Sequence, residues 1–295
     1  MERRYKFGIS IVIIGGLFLS LSGILLRHIE SADGWQILFY RGIAFSTTLF
    51  LLLFLKYKKQ TFNAFKAIGY PGLWAALVLG LGSICYIFAL LLTTVANAVF
   101  IIGASPIATA AVGWFILGEK TSRLGLGMMF VSLCGIGLMF TDGLLGGRLA
   151  GNIAALGVVA SFVAFLLILR SKNNIDMLPA TCLSGVVMAF VSVFFVTDFL
   201  ISQHDLVIAL LMGSLQFGIG FWCYTVATRY ILASEVALFS LSESIFAPIW
   251  VWIGVGEQPG PLTLAGSFIV LVGVTIYCLA GIVEERKSRL EKSAV

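Results

Sequence analysis

Ten runs of apolar residues alternate with short polar connections along the chain. They cover approximately Phe7–Leu26, Trp35–Leu55, Pro71–Leu92, Asn97–Leu117, Leu124–Phe140, Gly151–Leu169, Leu178–Asp198, Ile208–Thr228, Val236–Val255 and Leu262–Val283. About 20 such residues cross a bilayer as a helix. Backbone amides in hydrocarbon need internal partners, so a spanning segment is a helix or part of a closed barrel. These runs are continuously apolar and too long for barrel strands, so ten transmembrane helices are predicted. The first run ends in Leu25-Leu26-Arg27-His28 without a small-residue cleavage site and is read as a retained helix rather than a leader.

Composition sharpens the class. The chain is 60% hydrophobic and 11% charged, against about 25% charged in a soluble domain. The expected class is an all-α integral membrane protein. Lys and Arg then set its orientation, because short cytoplasmic loops hold the excess of them. With the N-terminus inside, sixteen fall on the cytoplasmic side: Arg3, Arg4, Lys6, Lys56, Lys58, Lys59, Lys66, Lys120, Arg123, Arg170, Lys172, Arg229, Arg286, Lys287, Arg289 and Lys292. Only Arg27 and Arg148 fall outside, and Arg41 lies within a span. Both termini are therefore expected in the cytoplasm, and the membrane is read as the inner or plasma membrane. The net charge of +5 reflects this placement. Nucleic acid is not implied, since the basic residues are scattered between apolar runs.

The chain also repeats itself. Gly80-Leu81-Gly82-Ser83-Ile84-Cys85-Tyr86 returns 138 positions later as Gly218-Ile219-Gly220-Phe221-Trp222-Cys223-Tyr224. Trp114, Gly118 and Glu119 return as Trp252, Gly256 and Glu257, and Gly135 returns as Gly273. The first spans correspond at an offset of 143, with Gly8 and Arg27 matching Gly151 and Arg170. Two units follow, 1–145 and 146–295. Each holds five spans, and five is odd, so the second unit enters the membrane upside down. Inverted repeats are common in secondary transporters, with the substrate held between the halves. Asp142 to Ala150 is read as the turn between the units. The tail from Glu284 is read as a fraying helix end, and Phe62, Phe65 and Lys66 as a basic cytoplasmic loop.

Gly118-Glu119-Lys120 at the end of the fourth span, Gly256-Glu257 at the end of the ninth, and Trp35 with Tyr40-Arg41 opening the second carry a family resemblance. The chain resembles the EamA-type family of the drug/metabolite transporter superfamily over essentially its whole length. The resemblance implies alternating access around a cavity lined mainly by spans 1, 3, 4, 6, 8 and 9, with spans 5 and 10 as peripheral braces. It also implies a small-molecule substrate among amino acids, other metabolites, nucleotide sugars and drugs. Position 243 is Glu where its repeat mate, Ser105, is small, so the resemblance carries no role to Glu243.

Candidate site residues come from charges and aromatics inside the spans. Arg41 and Glu243 are the charges well within them, and an ionisable group in hydrocarbon costs about 2.5–3.5 kcal/mol on insertion scales, which marks it as a functional candidate. Counting roughly 1.5 Å per residue, their backbones differ in depth by on the order of 10 Å. The competing readings are an Arg41 that snorkels to the headgroups and a Glu243 that serves as a structural hydrogen-bonding group. Tyr86 and Tyr224 are repeat mates, Trp222 lies within a turn of Tyr224, and all three can line a cavity or simply pack. Substrate contacts are therefore assigned to Arg41, Tyr86, Ser105, Trp222, Tyr224 and Glu243, and proton coupling to Glu243. Glu119 and Glu257 are read as loop-fixing acceptors, and Arg229 with Glu235 as a boundary pair. Trp114 and Trp252 are interfacial anchors, and Pro106 and Pro248 are interruptions of spans 4 and 9. Gly16 with Gly23, and Gly266 with Gly273, mark packing seams.

No cofactor or metal is expected. The five cysteines lie in apolar runs at irregular spacing, and His28 and His204 sit in expected loops far from them. Nothing resembles a nucleotide-binding loop. The expected activity is proton-coupled export of a small polar metabolite such as an amino acid, by a monomer or homodimer. An organic-cation or drug exporter is the alternative, and a uniporter or channel a further one. A membrane enzyme is disfavoured because His, Cys and carboxylates form no cluster. A tag on either terminus should be inaccessible from outside intact cells, and external labelling of a C-terminal tag would overturn the inverted arrangement.

Overall fold

The computed structural model describes residues 2–117, 123–171, 176–227, 230–231 and 233–293, and it contains no strand among them. The helices in order are α1 (Glu2–Ser20), α2 (Ser22–Arg27), α3 (Gly34–Tyr57), α4 (Thr61–Ala67), α5 (Gly69–Leu92), α6 (Val95–Gly103), α7 (Ser105–Leu117), α8 (Arg123–Leu145), α9 (Leu149–Ser171), α10 (Leu178–Val193), α11 (Gln203–Leu211), α12 (Gly220–Ala227), α13 (Ala233–Val255) and α14 (Pro261–Ser293). A π-helical segment, Met212–Ile219, joins α11 to α12. Eight helical stretches among the described residues are long and apolar enough to cross a membrane. Leu178–Val193 and Leu241–Val255 are shorter apolar helices.

Several expected boundaries move, each for a local reason. The first span is broken at Leu21, where Ser20 Oγ donates to the Leu17 carbonyl at 2.7 Å and Ser22 turns its hydroxyl to Tyr86; hydroxyls that bond helix carbonyls bend helices. The seventh ends at Val193 rather than Asp198. There Gln36 Nε2 takes the Asp198 carbonyl at 2.7 Å and Tyr40 Oη the Phe199 carbonyl at 2.6 Å, so α3 holds this stretch outside a helix. The turn between the units is shorter than expected. α8 runs to Leu145, and Gly147, with φ +69°, takes the left-handed turn that glycine allows without strain. The basic loop is in part helical: Phe65 of α4 packs back against Phe45, Leu49 and Leu53, while Phe62 stays exposed. The break in the fourth span falls at Ala104, before Pro106, whereas α13 runs through Pro248.

Residues 138 or 143 positions apart make matching contacts. A Cβ on Gly8 would meet Tyr230 and Ile231, and one on Gly151 would meet Leu92 and Thr93, the corresponding pair. Gly82 abuts Ser161 of α9, and its mate Gly220 abuts Leu19 of α1. Gly42 and Gly185, themselves 143 apart, lie against each other's carbonyls, joining α3 to α10. Small residues let helix backbones approach this closely, and in lipid such packing carries much of the association. The two expected glycine seams are present. Gly16 and Gly23 face α13 at Ser242 and Val251, and Gly266 and Gly273 face α8 at Gly135 and Ser132.

One end of the bundle is fastened by polar side chains. Asn97 Nδ2 donates to Asn152 Oδ1 at 2.5 Å, and Thr263 Oγ1 donates to Asp142 Oδ2 at 2.5 Å. Fully buried Asp205 of α11 accepts from the amides of Glu30, Ser31 and Ala32 and from the Ser31 hydroxyl. Interhelical hydrogen bonds in membranes average about 0.6 kcal/mol each, so this fastening acts through number. At the other end Lys56 and Tyr57 donate to Asp176. Partial burial pushes that carboxyl up, but these hydrogen bonds outweigh it and hold the group below the ordinary carboxylate range.

The seam gives a paired expectation. A Cβ at Gly266 would sit 2.5 Å from the Gly135 carbonyl oxygen, whereas one at Gly137 meets nothing within 4 Å. Gly266→Ala should destabilise by about 1–3 kcal/mol through overpacking. Gly137→Ala should be neutral or stabilise by up to about 1 kcal/mol, as a helical glycine replaced by alanine. Thermal unfolding of the two variants in detergent checks the contrast, and equal shifts would refute the seam.

Candidate functional site

Four of the expected residues gather around the broken first span. The kink turns Ser22 inward, and its hydroxyl meets Tyr86 Oη of α5 at 2.5 Å. Ser20, one residue before the break, accepts from Trp250 Nε1 of α13 at 3.0 Å. Both serines are fully buried.

Arg41 of α3 is also fully buried, so it does not snorkel to the surface. Its guanidinium carbon lies 4.4 Å from the centroid of the Phe217 ring and 5.6 Å from that of Tyr86. Nη1 donates to Met188 Sδ of α10 at 3.6 Å, while Nε and Nη2 have no hydrogen-bond partner. A desolvated cation over aromatic faces gains up to about 2 kcal/mol. Its burial costs several kcal/mol, so the surroundings leave Arg41 undercompensated.

Glu243 of α13 is partly buried and follows Ser242, whose hydroxyl is buried without a partner. Gly16 opens the space beside them: a Cβ there would lie 2.3 Å from Ser242 Oγ, 3.3 Å from Tyr224 Oη and 3.7 Å from the Glu243 amide nitrogen. Tyr224 Oη is itself buried and unpartnered. Glu243 lies within electrostatic reach of both the Tyr86 and Tyr224 hydroxyls. Tyr86 thus lies within electrostatic reach of both charges. Among the described residues Arg41 and Glu243 form no direct ion pair.

Two expected residues lie elsewhere. Trp222 lines a peripheral groove of about 340 Å³ with Leu52, Leu55, Lys56, Leu178, Thr225 and Val226. Buried Ser105 bonds the Ile102 carbonyl at 2.5 Å, at the break between α6 and α7. Three others were missed, Ser242 beside Glu243 among them. Phe217 and Gln216 both come from the π-helical segment, where the wider turn re-aims side chains, a feature frequent at functional sites. Gln216 donates to the Leu19 carbonyl at 3.1 Å and leaves its own carbonyl oxygen unpartnered. A lone amide inside an apolar run, between Gly213 and Gly218, was a visible signal for it; nothing in the pattern distinguishes Phe217 from the other phenylalanines.

Glu257 does fix a loop. It accepts from the Val95 amide at 2.7 Å, at the N-terminus of α6, and from Arg27 Nε at 2.7 Å. Arg27 also donates to the Leu90 and Thr93 carbonyls. Three segments are thereby stapled: α2, the connection from α5 to α6, and the end of α13. Glu119, Lys120 and Arg229 lie outside the described residues, as do the side chains of Trp114, Arg170 and Glu235. Among the described residues no group of three His, Cys, Asp or Glu could hold a metal ion.

The EamA-like transporter family model matches residues 6–141 and again 145–279, nearly the whole chain as two consecutive copies. The chain belongs to the EamA-like transporter family. It is a multi-pass membrane transporter of the drug/metabolite transporter type, consistent with a small-molecule substrate. No curated protein matches this EamA-like chain. A crystal structure of another protein, 15% identical, superposes with a TM-score of 0.61 over 94% of this chain and 98% of its own; at that identity it speaks to the fold.

The staple is measurable. Glu257→Ala removes the ion pair and leaves the Val95 amide without its acceptor. That should cost about 1–3 kcal/mol, and Glu257→Gln, which still accepts a hydrogen bond, should cost less. Melting temperatures of the two variants check the order.

Proposed function

We propose that this EamA-like transporter is a secondary carrier in which two inverted five-span repeats rock about a site between them. The observation that carries this reading is that, of the buried side-chain polar groups without partners among the described residues, all but Ser132 at the α8–α14 seam, namely those on Arg41, Tyr224, Ser242 and Gln216, belong to the candidate site and come from both halves of the chain. Groups so placed in hydrocarbon are costly and are satisfied when a polar solute enters. The inverted arrangement is supported by the reciprocal glycine contacts. Exchanging the halves exchanges Gly8 against 230–231 for Gly151 against 92–93, and leaves the Gly42–Gly185 contact in place.

In this reading the site takes a small polar metabolite, such as an amino acid or related compound, and exports it against protons. The chain sits in the inner or plasma membrane with both termini cytoplasmic, which makes the Arg27–Glu257 staple an outer latch that releases when the site opens outward. Arg41, Tyr86 and Tyr224 contact the solute, joined by Gln216, Phe217 and Ser242. Ser105 and Trp222 act from outside this cluster, at the α6–α7 break and the peripheral groove. Glu243 carries the proton, and a cationic substrate group competes with that proton for the same carboxylate, giving antiport from one site. A second reading, an organic-cation or drug exporter, is favoured by the two tyrosines that flank Glu243, since aromatic faces bind cations.

Glu243→Gln keeps size and hydrogen bonding but cannot titrate. The variant reconstituted in liposomes should still exchange labelled for unlabelled substrate, yet lose accumulation driven by a pH gradient. Gradient-driven transport at the wild-type rate would remove Glu243 as the coupling residue, and absence of counterflow in the wild type would favour a channel.

A further inference from the structure

We infer that Arg41 receives a carboxylate of the substrate side-on, through the Nε–Nη2 edge of its guanidinium. The inference rests on the carrier reading and names the chemical class of its substrate. A guanidinium offers in-plane forks that match the two oxygens of a carboxylate. The end-on fork uses Nη1 and Nη2, and the side-on fork uses Nε and Nη2. In this site Nη1 already donates to the Met188 sulfur at 3.6 Å. Nε and Nη2 are the atoms left without partners. The guanidinium carbon also lies 4.4 Å from the Phe217 ring centroid and 5.6 Å from that of Tyr86. The Nε–Nη2 edge is therefore the one on which neither nitrogen has a partner, and it presents two parallel donors at the spacing a planar carboxylate accepts.

The surroundings also exclude bulkier anions. A phosphate or sulfate carries charge in three dimensions and calls for further donors beyond one edge. Around Arg41 the described contacts are a thioether, a phenyl ring and a phenol whose hydroxyl is already engaged with Ser22. A second negative charge on the solute would also be repelled by Glu243, which lies within electrostatic reach of Tyr86. The fitting anionic group is a single carboxylate, bound edge-on with its plane continuing that of the guanidinium, beside Phe217 of the π-helical segment.

The experiment measures equilibrium binding to the purified full chain in nanodiscs by calorimetry. Acetate, benzoate, glycine and L-phenylalanine are each compared with their primary amides, and inorganic phosphate and chloride serve as controls. At least one acid should bind, with its amide and both inorganic anions at least about tenfold weaker. Arg41→Lys should lose at least about tenfold in acid affinity. An amide binding as tightly as its acid, phosphate or chloride binding as tightly, full affinity in Arg41→Lys, or binding by none of the acids would each overturn the inference. Should the Arg41 variant not fold, the acid–amide comparison on the wild type still decides. Acid binding without counterflow in liposomes would sink the carrier reading and leave the carboxylate site. Counterflow of a cationic or neutral solute without acid binding would do the reverse.

Discussion

Hydrocarbon as solvent sets the terms for everything else in this protein. No water is available inside it to complete a hydrogen bond, so the backbone closes on itself in helices and each remaining polar group must find a partner in another helix. Nor does lipid drive apolar faces together, since its tails are as apolar as leucine. Close backbone contact and a small number of polar bonds are left to hold the bundle. Both are present: glycines set helices against one another's carbonyls, and polar side chains fasten one end through Glu257, Asn97, Thr263 and Asp205.

Against that background the incomplete bonding around α1 stands apart. The same chain that satisfies Asp205 with four donors leaves Arg41 with two free nitrogens and Tyr224 and Ser242 with free hydroxyls. The contrast lies between an end that is fastened and a middle that is not. A transporter needs such a division. In the proposed carrier the ends are tied by bonds weak enough to exchange, and the centre keeps groups that a solute completes. Interhelical bonds of about 0.6 kcal/mol suit the first task, and a desolvated guanidinium over aromatic rings suits the second.

The two irregular stretches of backbone serve that centre. The break at Leu21 directs Ser20 and Ser22 toward Trp250 and Tyr86. The π-helical segment directs Gln216 toward the Leu19 carbonyl, one residue before Ser20 and two before the break, and sets Phe217 against Arg41. Helical irregularity in the membrane is tolerated where neighbours complete the freed backbone groups, and here Gln216, a residue of the proposed site, takes the Leu19 carbonyl.

Much of this was legible from the chain alone. The apolar runs mark the helices because a bilayer demands length and hydrophobicity, whatever the fold. The repeat at 138 and 143 positions anticipates the matching glycine contacts, because equal sequences make equal seams. Arg41 and Glu243 stand out because charge within such a run is costly, and Glu257 because a carboxylate at a helix end needs a donor. What the sequence could not say is which face of each helix turns inward. In a soluble helix the polar side answers that question, but in these spans nearly every side is apolar and the pattern has no preferred direction. The choice of Phe217 among 24 phenylalanines, the break at Leu21, the distance of Trp222 from Arg41, and the free edge of the guanidinium were decided by tertiary packing, where glycine contacts fix the rotation of each helix and the π turn shifts it once more.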